Sequence, residues 1–244
     1  MMRKKQYRTV FISDVHLWHL KNRWDKLVKF LDSIFFENLV IIWDFIDYWQ
    51  LSWFWRRRDK ETKVLDYINN LARDGVKITY IQWNHDRKLK CSDKIHIENM
   101  CVMRDMYYKT LKWKTYYITH WDCMDWVNKD WNNWGQLWSI CFWLLLKIEG
   151  VWNKNVLSYS YLSFAERFEE WVKKVRMPDS RITRKVAKFT RNLDCDGMII
   201  GHFHIARHYE VNWIDYYNTW DWLRNCSAVL EDFKWNLELF CYKS

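Results

Sequence analysis

Phe11-Ile12-Ser13-Asp14-Val15-His16 is the stretch on which the reading of this chain turns. The apolar run Thr9-Val10-Phe11-Ile12 stops abruptly there, in a carboxylate and an imidazole two residues apart. Working outward, the same event recurs. Leu39-Val40-Ile41-Ile42 ends in Trp43-Asp44-Phe45-Ile46-Asp47, and Lys77-Ile78-Thr79-Tyr80-Ile81 leads into Trp83-Asn84-His85-Asp86. Thr115-Tyr116-Tyr117-Ile118 ends in Thr119-His120-Trp121-Asp122, and Gly197-Met198-Ile199-Ile200 ends in Gly201-His202-Phe203-His204. Short β-branched and aromatic runs of this kind read as buried strands. Between the first three lie helical patterns: Lys26 to Phe35 puts Leu27, Phe30, Leu31 and Ile34 on one face, and Glu61 to Ala72 does so with Val64, Leu65, Ile68 and Leu71. Strands alternating with helices predict an α/β layered fold with its functional edge at the strand C-termini.

From Ile205 onward the chain reads as strand and turn, through Tyr209-Glu210-Val211, Asp215-Tyr216-Tyr217 and Leu237 to Tyr242. The segment 126–191 breaks the rhythm. It reads as a mainly helical insertion or lid over the site within a single domain spanning 1–244, the alternative being an ordinary helical layer of the core. A chain half apolar and 28% charged is neither disordered nor fibrous. The net charge of +9 favours anionic partners without choosing among nucleic acid, lipid headgroups and phosphorylated substrates. Seven cysteines without paired spacing suit reduced thiols in the cytosol. Met1 to Arg8 lacks a signal-peptide pattern, and the apolar run Leu137 to Ile148, 12 residues, is too short to span a bilayer. A cytoplasmic protein is expected, with peripheral attachment to the inner membrane as an option.

Taken singly, each Asp or His above passes as a turn, cap or satisfied polar residue. The joint order is what points to a metal centre: Asp-x-His, Asp-x-x-Asp, Asn-His-Asp, His and Gly-His-x-His, each after a strand. A carboxylate can bridge two divalent cations while neutral imidazoles and an amide oxygen complete the set. Mixed nitrogen and oxygen donors suit Mn²⁺, Fe²⁺ or Zn²⁺, and two divalent ions are expected, with Mn²⁺ as the first choice. A pair of such ions is matched to phosphoester or diphosphate hydrolysis.

These motifs resemble the calcineurin-like metallophosphoesterases, and within them the UDP-2,3-diacylglucosamine diphosphatase branch of lipid A biosynthesis. The resemblance spans nearly the whole chain, from Phe11-Ile12-Ser13-Asp14-Val15-His16-Leu17 to Tyr216-Tyr217-Asn218-Thr219-Trp220-Asp221-Trp222. It implies an α/β/β/α sandwich with a mainly helical insertion. It also implies that Asp14, His16 and His204 hold one metal, that Asp44 bridges, and that Asn84, His120 and His202 hold the second. His85 would act at the scissile phosphate or its leaving oxygen, or else pack beside the ligands. Some members of the branch carry Arg there, while others and the wider superfamily carry His. Asp47 and Asp86 fit as residues orienting the ligand imidazoles; Asp122 and Asp125 would do the same or meet substrate.

The implied substrate is an acylated sugar nucleotide, cleaved to UMP and an acylated sugar 1-phosphate. Trp138, Ile140, Phe142, Trp143, Leu144, Leu145 and Leu146 would line a groove for its acyl chains or dip into a membrane surface, or simply pack the insertion onto the body. Arg181, Arg184, Lys185, Lys188 and Arg191 form a basic face for phosphate or anionic lipid, or an ordinary solvated face. Two alternatives stand: a superfamily relative acting on another phosphodiester or on nucleic acid, the latter less favoured, and a non-catalytic metal-binding module.

The composition is also unusual, with 20 Trp against 5 Gly. Average usage of about 7% glycine would give several times more. Trp18, Trp43, Trp83, Trp121 and Trp220 stand where the resembled branch has glycine, and Trp113, Trp126, Trp213 and Trp235 occupy further glycine-like turns. Glycine serves where the backbone needs φ > 0 or close approach to a phosphate. A side chain in such a conformation costs about 1–2 kcal/mol, and nine such costs rival a whole domain's stability of about 5–15 kcal/mol. The expectation is that these nine are UGA codons, glycine in the organism's own code but written as tryptophan. Trp222, shared with the family, is expected to be genuine.

Overall fold

Period-two alternation builds the first layer boundary. In the strand Lys5–Ser13 (β1), Val10 and Ile12 point to one cluster and Phe11 to another; in Ile34–Ile42 (β2), Leu39 and Ile41 go one way, Val40 and Ile42 the other. All of these residues are at most 2% exposed. Both faces of these strands are therefore covered, as parallel strands require.

The computed structural model describes residues 4–17, 23–42, 45, 59–82, 99–120, 179–201, 207–219, 222 and 226–242, with backbone alone for 59–62, 120 and 179–182. After β1 come helix α1 (Trp24–Ser33), β2, helix α2 (Asp59–Arg73) and strands β3 (Lys77–Ile81), β4 (Cys101–Met103), β5 (Met106–Lys109) and β6 (Thr115–His120). Helix α3 (Asp179–Asn192) precedes β7 (Gly197–Gly201), β8 (Arg207–Val211), β9 (Ile214–Asn218), β10 (Ser227–Asp232) and β11 (Leu237–Cys241). The strands form two sheets, ordered β11-β10-β1-β2-β3-β4 and β5-β6-β7-β9-β8. Pairing is parallel through β1-β2-β3-β4 and through β6-β7-β9, and antiparallel elsewhere.

Leu27, Phe30 and Leu31 of α1 and Val64, Ile68 and Ala72 of α2 pack with Val10, Ile12, Leu39 and Ile41 on the outer face of the first sheet. Phe11, Val40, Ile42 and Ile81 meet Tyr108, Tyr116, Ile118, Ile199 and Tyr217 between the sheets. Val186 and Ala187 of α3 are buried, its Thr190 Oγ1 lies 3.8 Å from Met198 Sδ, and Phe189 packs on Tyr117. The layers are helix, sheet, sheet, helix, as expected. The chain divides into two compact units, Met1–Trp121 with Val186–Ser244, and Asp122–Lys185. The expected insertion 126–191 lies outside the described residues except for α3, where Arg184, Lys185, Lys188 and Arg191 are exposed.

The structure corrects the sequence reading in two places. Helical spacing carries the first helix through Ile34 and Phe35, but α1 stops at Ser33, whose hydroxyl donates to Phe30 O at 2.6 Å. Ile34 turns to φ −124°, ψ 165° and pairs with Lys5 as the first residue of β2. Its apolar side chain satisfies the helical spacing, but the β-branched and aromatic run Ile34-Phe35-Phe36 prefers a pleated surface. Strands β4 and β5 are additions that the apolar runs of the sequence do not announce.

Candidate metal centre

Register lines up the strand ends. Ser13 pairs with Ile42 and Ile42 with Ile81, so β1, β2 and β3 finish level in the first sheet. In the second sheet His120 pairs with Gly201 and Ile200 with Asn218. Every segment carrying an expected ligand leaves its sheet at this one edge.

Asp14 is 1% exposed and takes φ 50°, and His16 takes φ 46°. Left-handed conformations are uncommon for such residues and concentrate at functional sites, where the strain aims side chains. His16 Nε2 lies 3.9 Å from Asp14 Oδ1. Across the gap, a Cβ placed on Gly201 would meet Asp14 Oδ2 at 2.8 Å and Ser13 Cβ at 2.9 Å. The absence of a side chain at Gly201 thus lets the Asp14 carboxylate press against the end of β7, one residue before His202 in sequence.

A polar seam holds this approach. Ser13 Oγ donates to Thr219 O at 3.0 Å, the Thr219 hydroxyl donates to Ser13 Oγ at 2.8 Å, and Thr219 N donates to Ile200 O at 2.9 Å. Ser13 and Thr219 are fully buried, so the bonds meet little competition from water. Trp222 N donates to Asp14 O at 3.1 Å, and Leu17 N to Phe45 O at 2.8 Å, which ties the segments after β1, β2 and β9 together. Sequence reasoning missed Ser13 and Thr219 as site residues. The one signal was Asn218-Thr219 inside the terminal motif, since hydroxyls are otherwise too common to stand out.

Of the expected metal ligands, Asp14 and His16 are brought together, and the backbone of His120 pairs with the Gly201 that Asp14 abuts. Asp44, Asn84, His85, His202 and His204 lie outside the described residues, as do Asp47, Asp86, Asp122 and Asp125 and the side chain of His120. No group of three or more His, Cys, Asp or Glu placed to hold a metal occurs among the described residues. The chemistry present, a buried carboxylate beside an imidazole at a shared strand edge, fits a borderline divalent cation. Among the described residues, no helix is long and apolar enough to cross a membrane.

No family model matches this sequence, and no curated protein matches it. Solved structures do resemble it in outline. An archaeal phosphodiesterase is 13% identical, covering 96% of this chain and 99% of its own, with a TM-score of 0.45. A single-mutant form of Vps29 from Entamoeba histolytica is 13% identical over 96% and 99%, with a TM-score of 0.42. Phosphopantetheinyl hydrolase from Mycobacterium tuberculosis is 13% identical over 98% and 96%, with a TM-score of 0.43.

Proposed function

We propose that this chain is a dimetal phosphohydrolase that cleaves the diphosphate of UDP-2,3-diacylglucosamine, with water, to UMP and diacylglucosamine 1-phosphate. The reading is supported above all by the level strand ends and by the Asp14 carboxylate held against Gly201 at the edge they share. Asp14, His16, Asp44, Asn84, His120, His202 and His204 are the residues that would hold two divalent cations, Mn²⁺ first. Bound there, the ions would supply Lewis acidity toward phosphate oxygens. His85 protonates the departing oxygen or stabilises charge beside it. The enzyme works in the cytoplasm, at the inner-membrane surface where an acylated substrate resides.

With Mn²⁺, the purified protein should release UMP from the acylated sugar nucleotide and leave UDP-N-acetylglucosamine intact. Equal turnover of both, or faster cleavage of single-stranded DNA, refutes the substrate assignment and leaves a phosphodiesterase of broader range. Asp44→Ala should abolish hydrolysis of any of them, and surviving activity would remove the dimetal assignment itself.

A further inference from the structure

Three hairpins lie wholly among the described residues, and each turns on a tryptophan whose backbone is left-handed. Between β8 and β9, Val211 pairs with Ile214 across a two-residue loop, Asn212 at φ 50° and Trp213 at φ 68°. Positive φ at both loop positions is the type I′ turn, whose sequence preference is Asn-Gly. Between β5 and β6, Trp113 N donates to Thr110 O at 3.0 Å and Thr110 N to Lys114 O at 2.9 Å, with Trp113 at φ 65°. Between β10 and β11 the pattern repeats: Trp235 N donates to Asp232 O at 3.2 Å and Asp232 N to Asn236 O at 3.0 Å, with Trp235 at φ 71°. Both are four-residue turns closed by a left-handed residue in a bulge, the position that calls for glycine.

Packing does not explain a tryptophan at any of the three. They are 76%, 87% and 55% exposed for Trp113, Trp213 and Trp235. Lys109 Nζ, 4.3 Å from the Trp113 ring centroid, makes only a surface cation–π contact. The other two described tryptophans differ in every respect: Trp24 opens helix α1, and Trp222 is fully buried against Phe30.

We infer that the native protein carries glycine at 113, 213 and 235, encoded by UGA, and tryptophan at 24 and 222, encoded by UGG. The inference stands on hairpin geometry and is independent of the proposed activity. By the same codon it extends to Trp18, Trp43, Trp83, Trp121, Trp126 and Trp220, and it carries glycine from 5 to 14 and tryptophan from 20 to 11.

One tryptic peptide of the protein isolated from its natural source, His208 to Arg224, contains positions 213, 220 and 222. Its mass spectrum should read glycine at 213 and 220 and tryptophan at 222. Tryptophan at 213, or glycine at 222, overturns the inference, as does UGG at codons 113, 213 and 235 of the gene. A recombinant comparison reads the strain directly. Trp113→Gly, Trp213→Gly and Trp235→Gly should each raise the folding equilibrium constant roughly tenfold, whereas Trp222→Gly should lower it more than about a hundredfold. Three hairpin variants no more stable than the parent would also overturn it.

Discussion

Gly201 shows how much one missing methyl group can decide. A Cβ there meets Asp14 Oδ2 at 2.8 Å, Ser13 Cβ at 2.9 Å and Ser13 Oγ at 3.0 Å, all on the end of β1. Gly201→Ala should therefore push the Asp14 carboxylate away from the β7 edge, at an overpacking cost of about 1–3 kcal/mol. Gly197→Ala is the matched control: its Cβ would strike the Tyr116 ring and stand 2.6 Å from Asp215 O, at the opposite end of the same strand. Both variants should lose thermal stability, but only Gly201→Ala should lose phosphohydrolase activity per folded molecule. Equal specific activity in the two would detach Asp14 from the chemistry. Asp14 and His16 are legible in the sequence because they interrupt an apolar run. Their left-handed backbones are not, since nothing in Ser-Asp-Val-His announces φ > 0. The hairpin tryptophans show the reverse case, in which Asn212-Trp213 reads as a turn only once tryptophan is taken for glycine.

At the scale of elements, hydrophobic periodicity finds what packs locally and misses what is held from afar. β1, β2 and β3 are legible from their continuous apolar runs, buried on both faces. β10 falls in the stretch read as strand and turn, but the partners of its Glu231, an acidic residue at 0% exposure, are not legible there. That carboxylate takes hydrogen bonds from Arg8 Nη1 at 3.1 Å, from Leu111 N at 2.8 Å and from the Tyr108 hydroxyl, all distant in sequence. It fastens the first sheet to β5 of the second, so Glu231→Ala should cost about 1–3 kcal/mol by removing the acceptor shared by Arg8, the Leu111 amide and the Tyr108 hydroxyl, read as a shift in the denaturant midpoint. A loss under about 1 kcal/mol, the scale of an exposed ion pair, would show that water replaces these partners. Asp215 of β9 makes the corresponding link within the second sheet, to Lys114 Nζ and the Tyr116 hydroxyl at 2.8 Å each and to His208 Nε2 at 3.3 Å. Burial by itself would raise its carboxyl, but the bonds from Lys114, Tyr116 and His208 prevail and hold it below the ordinary aspartate value. A carboxyl depressed by folding gives stability that is fully present above its unfolded value and lost as pH falls through the folded one. Acidification below about pH 4 should thus narrow the stability gap between the parent and Asp215→Asn; a gap constant through that range would rule the linkage out.

Across the whole molecule, layering and charge combine to make cation binding a test of the site. Parallel pairing through β1-β2-β3 and β6-β7-β9 sends the chain out of both sheets at one edge, which is why residues from 14 to 204 are candidates for one centre. The remainder of the molecule repels the ligand, because a net charge of +9 disfavours loose accumulation of divalent cations on the surface. Any stabilisation by Mn²⁺ must then come from a few converging donors. A metal that binds the folded chain and not the unfolded one adds about 2.7 kcal/mol at a free concentration one hundred times its Kd. Thermal unfolding at fixed pH should accordingly shift upward as Mn²⁺ is titrated and return to its starting point with a chelator. Asp14→Ala should flatten the titration by removing a buried donor, whereas Glu231→Gln, distant from the strand ends, should keep the full metal-dependent shift on a lower baseline. An equal shift in the parent and in Asp14→Ala would place the metal elsewhere, and no shift in the parent would leave the strand edge without the ions its residues are suited to hold.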